Sequence, residues 1–125
     1  MNNRRVVITG MGVLSPIGNN VTEFFNELKK GTNGIGPITL FNTDELNVKI
    51  AGEIKNLDFE NFIDRKQLSR TDRFCQLAII ASDQAIKQSG LDLDAPDKER
   101  IGVIIGSGIG GIDTLTNNHN RLLNS

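Results

Sequence analysis

Apolar residues are distributed along this chain in two short unbroken runs and three periodic ones. Val6-Val7-Ile8-Thr9 is β-branched throughout and stops at Gly10-Met11-Gly12. A run of this length and type predicts a buried strand of a parallel sheet, where both faces are covered and alternation is lost. Ile101 to Ile105 is a second run of the same kind. Elsewhere the apolar period is helical. Phe24, Phe25 and Leu28 follow Asn20 and Thr22, either of which can cap a helix starting near Val21. Glu23 suits its first turn, Lys29 and Lys30 its last, and Gly31 its stop.

From Thr71 to Ser89, the residues Phe74, Leu77, Ala78, Ala81 and Ala85 repeat at helical spacing, and Ile79, Ile80 and Ile86 widen the stripe. So broad an apolar surface, with several alanines, predicts a helix covered closely on more than one side. Ser69-Arg70-Thr71-Asp72 ahead of it has capping-box spacing, and Gly90 ends it. Ile112, Leu115, Leu122 and Leu123 predict a last helix from Ile112 to Leu123. The stretch Gly31 to Pro37 reads as a loop. Ile38 to Phe41 and Val48 to Ile54 read as short extended pieces, and Asp92 to Arg100, with Pro96, as a polar connection. The order is strand, helix, irregular insert, long helix, strand, helix. That is an α/β plan with at least two parallel strands. Two strands do not finish a doubly wound sheet, so the chain reads as part of a larger domain, or as one completed against something else.

Composition narrows the function. The 125 residues suit one domain or a piece of one, and 38% hydrophobic content is ordinary for a soluble protein. The charge balance, 14 − 15 = −1, argues against nucleic acid or an anionic membrane as the main partner. No apolar run approaches the ~18 residues of a membrane span, so membrane insertion is not expected. The apolar stretch behind Arg4 and Arg5 is broken at Thr9-Gly10 and is too short for an export signal. A single cysteine permits no intrachain disulfide, which fits a cytoplasmic protein. That residue, Cys75, is expected inside the long helix as a buried, inert thiol. His119 is expected on a helix surface, and no metal site is expected.

The segment Gly106-Ser107-Gly108-Ile109-Gly110-Gly111 fits G-x-G-x-x-G and stands between a strand and a helix, as a phosphate-binding loop would. An NAD site also needs an acidic residue about 20 positions on, and only 14 residues follow Gly111. Gly10 to Ser15 is a second near match, which fails this test: positions 29 to 36 read KKGTNGIG, with neither acid nor strand. An NAD(P)-binding oxidoreductase is therefore a minor alternative.

Four ordered stretches carry a stronger signal: Arg5 to Gly18 (RVVITGMGVLSPIG), Ala51-Gly52-Glu53, Asp72-Arg73-Phe74, and Arg100 to Gly111 (RIGVIIGSGIGG). Together they resemble the β-ketoacyl-acyl-carrier-protein synthases, the condensing enzymes of fatty-acid synthesis, over essentially all 125 residues. Ile109 makes the elongating type II enzymes the nearest subtype. The resemblance implies a thiolase-like, layered α-β-α-β-α fold, incomplete in this chain. Residues 1–125 would be the N-terminal portion of its first half, ending before the catalytic cysteine. The activity implied is decarboxylative Claisen condensation of an acyl chain with malonyl-acyl-carrier protein. The nucleophilic cysteine and two histidines of such enzymes match nothing here, so no catalytic residue is expected in this chain and the fragment alone should be inactive. A non-catalytic chain-length-factor-like partner is the alternative.

The resemblance also places Gly106, Gly108, Gly110 and Gly111 beside the acyl pocket, with Ile109 as its gate. The residues themselves equally allow Ile109 as a core side chain in a tight strand-to-helix turn. Lys66, Arg70 and Arg73 share one face if the chain is helical from residue 66. The resemblance makes that face a docking surface for the acidic acyl-carrier protein. A solvated, mixed-charge helix start, or Arg73 paired with Asp72 or a neighbouring subunit, is the other reading. A homodimer with no bound cofactor is implied, phosphopantetheine arriving on the carrier protein.

Overall fold

The computed structural model describes residues 4–94 and 97–125; Pro96, expected in the polar connection, lies outside the described residues. Helix α1 (Val21–Lys30) starts where Asn20 accepts the Glu23 N–H at 2.9 Å. It stops at Gly31, whose φ of 71° is the left-handed conformation that a Cβ penalises. The N–H groups of Gly31 and Thr32 then return to the carbonyls of Leu28 and Glu27, each at 3.1 Å.

Strands β1 (Ile35–Pro37) and β2 (Ile50–Gly52) form an antiparallel pair, Ile35 opposite Gly52 and Pro37 opposite Ile50. The expected second extended piece contains β2. The first lies too late in sequence: β1 falls inside the stretch expected to be a loop, and only the Ile38 N–H, on the Lys49 carbonyl at 3.0 Å, carries the pairing further. Pro37 is tolerated because this two-stranded unit has edges on both sides.

A 3₁₀ turn at Phe59–Asn61 leads into the single-turn helix α2 (Arg65–Leu68), capped by Asp64 on the Gln67 N–H at 2.9 Å. Helix α3 (Arg73–Ser89) follows and ends at Gly90, φ 64°. It begins two residues later than expected, and the capping box does not form. Ser69 closes α2 instead, its hydroxyl donating to the Lys66 carbonyl at 2.9 Å. Thr71 donates to the Gln67 carbonyl at 2.8 Å, and the Asp72 carboxylate makes no cap hydrogen bond. The Gln76 amide bridges the break, reaching the carbonyls of Leu68 and Thr71 at 3.1 and 2.7 Å. The polar connection contains a 3₁₀ turn at Lys98–Arg100, and α4 (Ile112–Leu123) has its expected bounds.

The two apolar runs expected as parallel strands enter no ladder among the described residues; the pairing that does form is antiparallel. A strand exists only against a partner, and among the described residues none pairs with Val6–Thr9 or Ile101–Ile105. Just past the first run, side chains of α3 take up backbone groups. The Met11 N–H donates to Gln88 Oε1 at 2.6 Å and the Val13 N–H to Gln84 Oε1 at 3.1 Å, while Gln84 Nε2 donates to the Asn19 carbonyl at 2.7 Å. Gly10 and Gly12 make this approach feasible. A Cβ on Gly12 would lie 1.8 Å from the Ala81 carbonyl oxygen, and one on Gly10 would lie 2.1 Å from that of Ala85. The alanines at helical spacing thus form the flat face that this segment crosses. Of the wide stripe on the long helix, Ile80 alone is fully buried, at 0% exposure; its neighbours on the stripe are half-buried and Ile86 is exposed, so the close cover expected on more than one side is incomplete among the described residues, and Ile63 is buried just before α2.

Candidate functional site

The glycine loop leaves the second apolar run and turns into α4. A Cβ on Gly106 or Gly108 would meet nothing within 4 Å. The turn tightens at Gly110, at φ 81°, whose N–H donates to the Ser107 hydroxyl oxygen at 3.0 Å. The Ile112 N–H and the Leu115 N–H, bonded to the carbonyls of Gly110 and Gly111 at 3.1 and 3.0 Å, begin α4. Ile109, between the open and the tight half, is 79% exposed. Among the described residues no core encloses it.

Two residues at the start of α3 reach this loop. The Phe74 ring would lie 3.9 Å from a Cβ on Gly110. The Asp72 carboxylate accepts the Thr114 hydroxyl and lies so close to Gly111 that a Cβ there would come within 2.2 Å of it. A negative group therefore already occupies the end of α4 where a phosphate would have to bind, which removes the physical basis of the dinucleotide reading. No sequence pattern signals this contact, because it joins residues 42 positions apart.

The basic residues do not line up on one helix. Lys66 is exposed on α2, Arg70 is exposed in the turn after it, and Arg73 opens α3. The break between α2 and α3 interrupts the face expected from helical spacing. Arg73 stacks its guanidinium over Phe59, 5.1 Å from the ring centre, rather than pairing with Asp72. Beside it, Ile38, Leu40, Phe41, Ala51, Ile54 and Leu77 line a shallow groove of about 280 Å³. Arg65 pairs with Glu60 at 3.3 Å, and Asp64 is occupied as a cap. Lys66 and Arg70 make no ion pair among the described residues.

Glu53, which the sequence places in a motif without a role, also lines the groove. It is 8% exposed and accepts the Thr39 N–H at 2.9 Å, the Thr39 hydroxyl at 2.7 Å and the Leu40 N–H at 3.2 Å. Thr39's hydroxyl first, then the two backbone donors and the charge of Lys55, hold its carboxyl below the usual carboxylate range. Its neighbour Gly52 leaves room for the Pro16 ring, 2.9 Å from where a Cβ would be.

Cys75 corrects an expectation. It is half-buried, and because α3 starts at Arg73 it sits in the first helical turn rather than deep inside the helix. His119 is exposed on α4 as expected. Among the described residues no group of three His, Cys, Asp or Glu side chains is placed to hold a metal ion, and no helix is long and apolar enough to cross a membrane.

Comparison with known proteins agrees with the motifs. The family model described as "Beta-ketoacyl synthase, N-terminal domain" matches residues 3–125. A 3-oxoacyl-[acyl-carrier-protein] synthase 2 of Staphylococcus aureus (strain COL) is 50% identical over 121 residues, which are 97% of this chain and 29% of that protein. A protein of the same name from Synechocystis sp. is 43% identical over 120 residues, 96% of this chain and 29% of the relative. Among solved structures, "The ishigamide ketosynthase/chain length factor" superposes with a TM-score of 0.79 at 29% identity, covering 96% of this chain and 30% of that one. The chain therefore spans under a third of the length of the relatives it matches. Its architecture is a part of the thiolase-like ketosynthase fold, as the motifs led us to expect.

Proposed function

Because the chain belongs to the β-ketoacyl synthase family, whose N-terminal domain it carries, we propose that it forms part of a 3-oxoacyl-[acyl-carrier-protein] synthase. The reaction is Claisen condensation of an acyl chain with malonyl-carrier protein, with loss of carbon dioxide. The 50% identity to a synthase over nearly the whole chain supports this reading most strongly. In the complete protein a cysteine attacks the acyl thioester, and two histidines assist decarboxylation and stabilise the developing negative charge. These three groups come from sequence outside the 125 residues. The present chain contributes scaffold and one wall of the acyl pocket.

In this reading Ile109 gates the pocket, and the four glycines around it keep the backbone slim enough for one stiff side chain to open or close the channel. What supports the gate is the place of Ile109 in the loop: it is exposed, with the open Gly106 and Gly108 before it and the held Gly110 and Gly111 after it. Lys66 and Arg70, exposed and carrying positive charge, receive the acidic carrier protein, with Arg73 at the edge of that surface. The working protein is a cytoplasmic homodimer that holds no metal or organic cofactor; phosphopantetheine arrives and leaves on the carrier protein. The second reading, a chain-length-factor-like partner, draws on the likeness to a ketosynthase/chain length factor, but at 29% identity against 50% for the synthase.

The full-length protein, given acyl- and malonyl-carrier protein, should release carbon dioxide and form the 3-oxoacyl product. Product only after addition of a second, cysteine-bearing subunit would favour the partner reading. Ile109→Phe should cut kcat/KM for long primers roughly 5- to 150-fold, the equivalent of about 1–3 kcal/mol of overpacking, and spare short ones. Ile109→Ala should extend the accepted length. A flat profile across chain lengths removes the gate. Lys66→Glu with Arg70→Glu should weaken use of carrier-linked substrates, in a salt-dependent way, while sparing small thioester mimics. Equal losses on both substrate types would make these residues structural.

A further inference from the structure

We propose that Asp72 is a positioning residue for the glycine loop: hydrogen-bonded by Thr114 and seated on Gly111, it latches the start of α3 to the start of α4 and sets the direction in which Ile109 leaves the backbone. The inference rests on the reading of Ile109 as a gate.

Asp72 occupies the N-cap position of α3, and aspartate is among the best residues for capping its own helix. It does not do so. Its carboxylate is turned away from the α3 donors and accepts the Thr114 hydroxyl of α4. There its charge stands near the positive end of the α4 dipole, which compensates for the cap that α3 forgoes. The carboxylate also presses on Gly111, where any Cβ would come within 2.2 Å of Oδ2 and 2.7 Å of Cγ. Glycine at 111 is therefore the condition for the latch.

The loop is unequally held. Gly106 and Gly108 have no neighbour within 4 Å of a would-be Cβ, whereas Gly110 faces the Phe74 ring and Gly111 the Asp72 carboxylate. Ile109 lies immediately before the held part, next to Gly110 in its left-handed conformation. The torsions that aim its side chain are thus set from the α4 side, by Asp72 and Phe74. Arg73 between them turns instead to Phe59. The Asp-Arg-Phe triplet so joins the basic segment to the gate loop through adjacent residues of one helix turn.

The test uses the full-length protein, four single variants, Asp72→Ala, Asp72→Asn, Thr114→Val and, as reference, Ile109→Phe, and the double variant Asp72→Ala with Thr114→Val. Two quantities are read: the ratio of kcat/KM for long against short primers, and amide hydrogen exchange over residues 109–112. Asp72→Ala and Thr114→Val should each speed that exchange and shift the ratio, by up to about a hundredfold, the scale seen when a positioned group moves by an ångström. The double variant should be no worse than either single one, since both remove one interaction. Asp72→Asn keeps an acceptor for Thr114 and should restore most of the wild-type ratio. A uniform fall in kcat/KM, with ratio and exchange unchanged, overturns the latch while a shifted ratio in Ile109→Phe leaves the gate standing. A flat ratio in Ile109→Phe sinks the gate reading; faster exchange in Asp72→Ala then still supports the latch, and unchanged exchange overturns it. Should Asp72→Ala fail to fold, Thr114→Val, which removes only the hydroxyl, decides by the same readouts.

Discussion

At the scale of single residues, Glu53 ties the segment after β1 to the segment after β2. Its carboxylate takes three hydrogen bonds from Thr39 and Leu40, so its charged form is favoured by folding and its pKa is depressed. The unfolded value for glutamate is about 4.3. A group whose folded pKa is depressed contributes stability that is present above the unfolded pKa and is lost as pH falls through the folded one. Glu53 should therefore stabilise fully near neutrality and lose its contribution as the pH falls from the unfolded value through the lower folded one. Glu53→Gln in the full-length protein should lower the urea midpoint at neutral pH and flatten the decline at acid pH. Parallel acid limbs in the variant and the wild type would show that Glu53 does not carry this dependence.

At the scale of elements, the decisive contact is the crossing of α3 by the segment Gly10 to Val13. It combines two glycines, the alanines beneath them and two glutamines one helical turn apart that satisfy backbone donors. Gly12→Ala would push a methyl group into the Ala81 carbonyl, 1.8 Å away, where backbone on both sides leaves nothing to yield easily. The expected loss is about 1–3 kcal/mol or more. Gly36→Ala on β1 is the control, since a Cβ there meets only the end of Lys55 at 3.8 Å. It should remain within about 0.5 kcal/mol of wild type. Urea midpoints of the two variants in the full-length protein check this; similar losses in both would mean that glycine content, not the helix crossing, sets the cost.

For the whole molecule, surface area is the telling quantity. A compact monomer of 13.7 kDa exposes about 6,600 Å². This chain exposes 10529 Å². Large apolar side chains contribute to the excess, with Val6 at 94% and Ile104 at 100% exposure in the two runs that lack strand partners. Uncovered strands and apolar faces of this extent drive association. The isolated 125-residue chain should bind a hydrophobic dye, self-associate and unfold without a sharp transition. A monomer that melts cooperatively in two states would contradict this expectation.

The sequence alone determined what is local. The spans of α1 and α4, a cap for α1 at Asn20 or Thr22, the glycine stops at Gly31 and Gly90 and the small-residue face of α3 were all legible, because a helix satisfies its hydrogen bonds within four residues and its caps lie in the same window. The ordered motifs made the family legible too. Tertiary structure decided whatever joins distant residues. The apolar runs have the composition of strands, yet whether they pair depends on partners that no run of residues specifies. The helical face through Lys66, Arg70 and Arg73 failed because Ser69 and Thr71 bond back to α2 and break the helix. Gly12 against Ala81, and Asp72 against Gly111 and Thr114, became visible only in three dimensions. Each is a close contact whose two sides lie roughly 40 to 70 positions apart in the chain, and periodicity carries no information at that range.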